Sequence, residues 1–334
     1  MWSPSDTLVN DLGLNLPDLP RCLSELLAQI PCGRVTTYGT LAEALGSEAA
    51  TRWVGHWMLH HEHRPGCLCH RVVRADGSVG RYIAEATSDK KKLLISEGVV
   101  FEDDRVRELN RVAFDCFCTK RPLVALRTMQ EGVSRKVTLR GRRTMPKTVA
   151  GVDVSYSGDS GIGAYVLWDL AREEKVWTTT VTREVMFPYI TGYLAFRELP
   201  ILLSLIESAQ DAERLADVVI VDGSGILHPR GVGIACHLGV LTSVPTIGVS
   251  KKLLWGEVSL AGMAPEEARP VLIDGQRRGV AVRATTGSHR PIFVSPGHRI
   301  GVDMAELIVR RQLQGRRLPE AQYWADRLSR QQSK

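Results

Sequence analysis

Thr148-Val149-Ala150-Gly151-Val152-Asp153-Val154-Ser155-Tyr156 is an apolar, β-branched run with one carboxylate inside it. Such residues favour a buried strand, and an acid within one is costly unless it is paired or bound to a metal. A second run, Val218-Val219-Ile220-Val221, ends directly in Asp222, and a third, Pro245-Thr246-Ile247-Gly248-Val249, follows. Between them an amphipathic helical pattern over about 192–209 carries Glu198, and further apolar runs lie at 162–168 and 176–181. Strands alternating with a helix predict an α/β layer structure. Asp153, Glu198 and Asp222 would give a hard divalent cation the oxygen ligands it needs. For each acid alone, a capped turn or a salt bridge is the alternative, and Asp222-Gly223 reads equally as an ordinary turn.

The chain has 334 residues, 43 Lys+Arg and 37 Asp+Glu, for a formal charge of +6; 44% of residues are apolar and 24% charged. That is globular composition, and at roughly 100–200 residues per domain it predicts two domains. No apolar stretch approaches the ~18 residues of a membrane span. The first residues lack the basic-then-apolar order of a secretory signal, and seven cysteines, an odd number, argue against a disulfide framework. A cytoplasmic protein is expected. The charge is unevenly spread. Residues 1–119 hold 13 basic and 16 acidic side chains, 120–147 nine and one, and 148–334 twenty-one and twenty. A basic band therefore joins two nearly neutral bodies, and Arg140, Arg142 and Arg143 within it are candidate phosphate contacts.

In the first body, Leu19, Leu23, Leu26 and Leu27 have helical spacing, and Pro31-Cys32-Gly33 breaks the pattern. Thr36 or Thr37 can cap a short helix that Gly46 ends, and Ser47 can cap the next, 48–60. Two short helices around a Gly turn read as a helix-turn-helix. Asp76-Gly77 marks a tight turn, hairpin or wing, Asp89 can cap a last helix ending near Gly98, and Lys90-Lys91-Lys92 reads as a solvated face.

Longer strings in the second body sharpen the reading. The segment Phe187-Pro188-Tyr189-Ile190-Thr191-Gly192-Tyr193-Leu194-Ala195-Phe196-Arg197-Glu198 resembles endonuclease V, as do Val221–Arg230, Pro245–Lys252 and Ile292–His298, all in the family's order. The resemblance covers about 120–330. It implies a ribonuclease H-like fold, a mixed sheet flanked by helices. The activity it implies is nicking of DNA or RNA one nucleotide beyond deaminated adenine (hypoxanthine) on its 3′ side. It further implies Mg²⁺, with Mn²⁺ as an alternative, on Asp153, Glu198 and Asp222; Lys251, in the family's register ahead of its neighbour Lys252, as catalytic lysine; and His228 and His298 as active-site histidines. Tyr189, flanked by Pro188 and Ile190, matches the wedge that fills the gap left by a flipped base. Thr191 replaces the wedge's second proline, and Ser224 a larger polar residue.

Cys69-His70-Arg71-Val72-Val73, Ile30–Ala42, Arg52-Trp53-Val54-Gly55 and Leu93–Val99 resemble the C-terminal domain of alkylguanine-DNA alkyltransferases over about 20–101. That resemblance implies Cys69 as alkyl acceptor, His70 as its base through a water, Glu97 orienting His70, Arg52 filling the flipped base's place, and Tyr38 on a phosphate. It also implies a mainly α, winged helix-turn-helix-like fold. Leu68 stands for the family's proline, His61 for an asparagine, and Tyr82-Ile83-Ala84-Glu85 for a smaller binding loop. Two alternatives stay open. The domain can be a non-reactive damage-binding module that recruits the nuclease. Or Cys67 and Cys69, with His60, His61, His63, Cys116 and Cys118, can supply soft metal ligands, although zinc sites usually show C-x₂₋₄-C rather than C-x-C spacing. The expected layout is 19–106 alkyltransferase-like, 107–147 basic junction with a first nuclease helix, and 148–330 endonuclease. The expected partners are double- or single-stranded DNA with deaminated or alkylated bases, and inosine-containing RNA.

Overall fold

The computed structural model describes residues 16–332 apart from 65, 84–86, 142, 285–286 and 289. Arg142 and the Ala84-Glu85 part of the expected binding loop lie outside the described residues. Contacts divide the chain into two units, one of residues 16–128 with 187–191, the other of 129–186 and 192 onward.

The first unit is mainly helical. Helix α1 (Leu19–Leu27) starts where the Asp18 carboxylate accepts from the Arg21 N–H at 2.9 Å, and it buries Leu19, Leu23, Leu26 and Leu27. Strand β1 (Thr36–Thr37) pairs in parallel with β2 (Val72–Val73). The Thr37 hydroxyl caps α2 (Tyr38–Leu45) by accepting from the Thr40 N–H at 3.1 Å, and Gly46, at φ 107°, ends it in the left-handed region glycine tolerates. Helix α3 (Thr51–His60) follows one 3₁₀ turn, for which Ser47 provides no side-chain cap. Helix α4 (Thr87–Ser96) begins two residues before Asp89, so that acid sits in the first turn instead of capping it.

The lysine run is also not a uniformly solvated face. Lys90 is 1% exposed, and its ammonium donates to the carbonyls of Val72 at 2.5 Å and Val79 at 2.8 Å. Burial lowers its pKa to about 8. A short hairpin, β3 (Phe101–Glu102) and β4 (Arg105–Val106), packs with Val35, Val73, Leu94 and Val99. Helix α5 (Leu109–Val112) follows, and α6 (Pro122–Ser134) contains the division at 128/129.

The second unit is built on one eight-stranded mixed sheet. Its strands are β5 (Thr148–Ser157), β6 (Ser160–Asp169), β7 (Glu174–Glu184), β8 (Val218–Asp222), β9 (Thr246–Ser250), β10 (Ala268–Ile273), β11 (Gln276–Val282) and β12 (Ile292–His298), in the order β10-β11-β12-β9-β8-β5-β6-β7. The three apolar runs form its centre, where β5, β8 and β9 lie parallel. Val218–Val221 are all buried, each such side chain stabilising the fold by roughly 1.5–3 kcal/mol. Helices flank the sheet: α7 (Leu194–Asp211), α8 (Ile234–Thr242), α9 (Val302–Arg311) and α10 (Glu320–Gln331).

Glycines set how closely two of these helices approach. A Cβ at Gly163 of β6 would lie 2.5 Å from the Ile201 side chain of α7, and one at Gly151 of β5 would lie 2.3 Å from the Ala321 backbone of α10. Gly151 and Asp153 share one face of β5, because side chains alternate. The close approach at Gly151 therefore lays α10 along the face that carries Asp153. No described helix is long and apolar enough to cross a membrane.

Candidate active sites

In the second unit, strand register brings the acids together. Val152 pairs with Val221 and Asp222 with Val249, so Asp153, Asp222 and the end of β9 lie side by side. Among the described residues, carboxylate oxygens of Asp153, Asp222 and Asp326 lie within 4.8 Å of one another. Asp326, on α10, is the residue sequence reasoning missed. Ser329, one turn further on, donates to Asp153 at 2.7 Å.

Glu198 comes from the opposite layer. It is buried on α7 and accepts from the Tyr156 hydroxyl at 2.7 Å. Burial, then the charge of Asp222, raises the Asp153 pKa to about 7. Burial also lifts Glu198 to about 8, the Tyr156 hydrogen bond opposing and the charges of Asp222 and Asp153 adding to the rise. Ionised carboxylates this crowded repel one another, and a cation between them would relieve the repulsion. The oxygen-rich cluster thus fits a divalent metal ion.

Lys251 directly follows β9 and reaches into the cluster, its ammonium donating to Asp222 at 3.2 Å and Asp326 at 3.1 Å. Burial works against its charge, but those carboxylates override it and hold the pKa above the usual lysine value.

Of the two expected histidines, His298 lies apart from the acids. β12 runs antiparallel to β9, with Phe293 opposite Ser250 and His298 opposite Thr246. His298 therefore sits toward the far end of β9 from the acids, which lie level with Val249, about 10 Å along the strand at ~3.3 Å per residue, where it accepts from the Thr138 N–H at 3.3 Å. His228 is buried, and burial with the nearby Arg230 charge lowers its pKa to about 4. It is a neutral imidazole at pH 7; Nδ1 accepts from the Arg230 N–H at 3.1 Å, which leaves the proton on Nε2. Arg230 donates to the Gly192 carbonyl and lies over the Tyr193 ring at 4.8 Å. Of the wedge candidates, Tyr189 is 60% exposed, Pro188 half-buried and Ile190 buried. Arg140 and Arg143 are exposed.

In the first unit, Cys69 is buried in a 3₁₀ turn, with His70 and Arg71 beside it. His70 Nε2 lies 2.8 Å from Glu97 Oε1, and Arg71 Nε and Nη2 also donate to that carboxylate. Burial pushes the Glu97 pKa up, but the hydrogen bonds from Arg71 and His70 outweigh it and leave the carboxyl at about 2. His70 Nδ1 has no partner among the described residues. The Cys69 sulfur lies 3.6 Å from His63 Nδ1. Its hydrogen bond to Cys67 and its burial raise its pKa, while that same bond lowers Cys67 to about 4. Lys90 stands 6.0 Å from the ring centroids of Tyr38 and Tyr82, and Arg52 is exposed in the first turn of α3.

The fold and acid cluster of the second unit define a metal-dependent hydrolase, and the first unit holds a cysteine beside a histidine–glutamate pair. A family model for Endonuclease V matches residues 131–327, and one for the 6-O-methylguanine DNA methyltransferase DNA binding domain matches 20–99. The bifunctional methyltransferase/endonuclease of Thermoplasma volcanium is 35% identical over 294 residues, 87% of this chain and 84% of that protein. The crystal structure of human ENDOV matches with a TM-score of 0.59 at 31% identity, covering 63% of this chain and 98% of that one. A Ciona intestinalis Endonuclease V crystallised with inosine-containing DNA matches with a TM-score of 0.58 at 26% identity, covering 65% and 98%. The chain belongs to the endonuclease V family, in the bifunctional methyltransferase/endonuclease form that carries a fused alkyltransferase DNA-binding domain.

Proposed function

We propose that the second unit nicks DNA on the 3′ side of hypoxanthine with Mg²⁺ as its metal, and that the first transfers alkyl groups from alkylguanine to Cys69. One observation carries the nuclease reading: three carboxylates, two from the parallel strands β5 and β8 and one from α10, converge within 4.8 Å beside Lys251. Asp153, Asp222 and Asp326 hold the metal, with Glu198 as a fourth acid. Mg²⁺ there supplies Lewis-acid stabilisation of the phosphate and an activated water. Lys251 adds positive charge at the phosphate as negative charge builds in the in-line transition state. The exposed Tyr189 ring fills the gap that a flipped base leaves in the duplex, and the neutral, buried His228 is held between the Arg230 N–H and the Gly192 carbonyl as a positioning residue. Mn²⁺ as the metal and inosine-containing RNA as substrate are the nearest variants of this reading.

For transfer, the Cys69 sulfur attacks the alkyl carbon. An S–C bond forms as the C–O⁶ bond breaks, and the thiol proton passes through water and His70 Nδ1 toward the departing base. Glu97 holds His70 by its other nitrogen. Arg52 takes the flipped base's place and Tyr38 a backbone phosphate. The buried, hydrogen-bonded state of Cys69 favours a second reading, a damage-binding module without transfer. Incubation with methylguanine DNA and mass measurement of the Cys69 peptide separates the two: an added methyl group supports transfer, and an unmodified peptide supports binding alone. For the nuclease, the test is nicking of hypoxanthine-containing DNA with Mg²⁺ against chelator, where equal nicking in both would overturn the metal's role.

A further inference from the structure

Around the acceptor cysteine stand three ligand-type side chains, His61, His63 and Cys67, that neither proposed reaction uses. His61 Nε2 lies 3.3 Å from the Cys67 sulfur, and His63 Nδ1 lies 3.6 Å from the Cys69 sulfur. One ligand atom from each of these four residues falls within 4.8 Å of every other. A tetrahedral zinc ion, with bonds of about 2.0–2.3 Å, spaces its ligand atoms about 3.3–3.8 Å apart. The four atoms need only a small closure to reach that spacing.

Further geometry favours ligation over chance proximity. The His61 ring stacks on Trp57 at 4.4 Å, and its Nδ1 faces the Trp57 carbonyl at 3.2 Å. A carbonyl only accepts, so Nδ1 carries the proton and the Nε2 lone pair is left facing Cys67. Metal-bound imidazoles are oriented by such a second hydrogen bond. His61 is extended, at φ −71° and ψ 157°, and side chains two apart on such a chain share a side, as His61 and His63 do; Cys67 and Cys69 are brought together by the bend at Leu68 that opens the 3₁₀ turn. Gly66, at φ 85°, turns the chain between the pairs. The C-x₂₋₄-C rule that argues against zinc describes two ligands taken from one tight turn; here two separate His and Cys pairs face each other. Among the described residues, His60, Cys116 and Cys118 are not part of the group.

We infer that His61, His63, Cys67 and Cys69 form a closed site for zinc, and that zinc bound there withholds Cys69 from alkyl transfer. On binding, two sulfur–zinc and two nitrogen–zinc bonds form, any thiol protons leave to solvent, and nothing is oxidised or reduced. With four protein ligands the ion has no open position, and donation of Cys69 charge into zinc lowers the sulfur's reactivity toward carbon while the four-ligand cage fixes it in place. The withholding rests on Cys69 being the acceptor; the metal site does not.

The test uses the full chain, stripped with a chelator and titrated with Co²⁺ followed by Zn²⁺. A thiolate-to-cobalt charge-transfer band at one equivalent, displaced by Zn²⁺, is expected. Cobalt on the oxygen ligands of the acid cluster gives no such band. Cys67→Ser and His61→Ala, each checked for folding by circular dichroism, should weaken Zn²⁺ binding at least about tenfold. Absence of the band in the wild-type protein, or its persistence in the Cys67→Ser/His61→Ala double variant, overturns the site. For the withholding, zinc-loaded and zinc-free protein are each mixed with methylguanine DNA. Methylation of Cys69 should be at least about tenfold slower with zinc, and insensitive to zinc in Cys67→Ser; equal rates in loaded and free wild-type protein overturn it. If neither form is methylated, transfer itself fails as a reading, while the cobalt band still decides the metal site.

Discussion

Ser329 donates to Asp153 across 2.7 Å, tying the last helix of the chain to the central strand. The bond is possible because Gly151, two residues before Asp153, has no side chain where α10 crosses. A Cβ there would lie 2.3 Å from the Ala321 backbone. Gly151→Ala should therefore destabilise the second unit by about 1–3 kcal/mol, the usual range for overpacking, and should lower nicking by displacing Asp326. Urea unfolding and a nicking assay on the same preparation check both; wild-type values in each would show that α10 does not need this approach.

Metal-free protein should lose stability as pH rises. Asp153 and Glu198 have folded pKa values raised to about 7 and about 8. Carboxyls whose folded pKa lies above the unfolded one contribute stability that is full at about pH 4 and is lost as pH climbs through 7 to 8. Divalent metal binds the ionised form, so Mg²⁺ affinity should rise across the same window. Thermal melts from pH 5 to 8.5, with and without Mg²⁺, read this directly: Tm falls without the ion, and the difference made by the ion grows with pH.

How much of this is legible in the sequence depends on whether the signal is local. β5 and β8 read clearly because a carboxylate in or at the end of an unbroken apolar run stands out, and α7 because its apolar stripe is strong. Asp326 does not. The buried face of α10 is Ala321, Gln322, Ala325 and Ser329, small and polar, so no apolar stripe marks it as a packed helix. Family resemblance groups His298 with the acids, and its true position follows from antiparallel pairing that no local pattern encodes. The β10–β11 hairpin has a usable signal, Asp274-Gly275 between two apolar-rich segments. Ligand spacing argues against the His61-to-Cys69 cluster, and only the fold shows that its pairs face each other.

Lys90 reads as surface charge in the sequence, and the structure makes a different prediction for it. Lys90→Met removes the donor to the Val72 and Val79 carbonyls, and leaving buried acceptors unpaired costs about 1–3 kcal/mol. Lys92→Met, on an exposed side chain, should be nearly neutral. Comparing the unfolding of the two variants tests whether Lys90 is structural.

The basic band should govern general affinity and not lesion choice. Arg140 and Arg143 are exposed. Replacing Arg140, Arg142 and Arg143 with Ala should weaken binding to damaged and undamaged DNA alike, and should reduce the salt slope by about one for each phosphate no longer neutralised. Affinities measured across a salt series decide it, and an unchanged slope would make the band a solvated linker.

The central claim is that Asp153, Asp222 and Asp326 hold the metal that cuts hypoxanthine-containing DNA, with Lys251 among them. Single-turnover nicking of such a duplex by wild type, Asp222→Ala and Asp326→Asn, each with a Mg²⁺ titration, tests it most directly. Asp222→Ala should abolish nicking, and Asp326→Asn should slow it and raise the Mg²⁺ needed by about tenfold or more. Wild-type nicking and wild-type Mg²⁺ dependence in both variants would contradict the account.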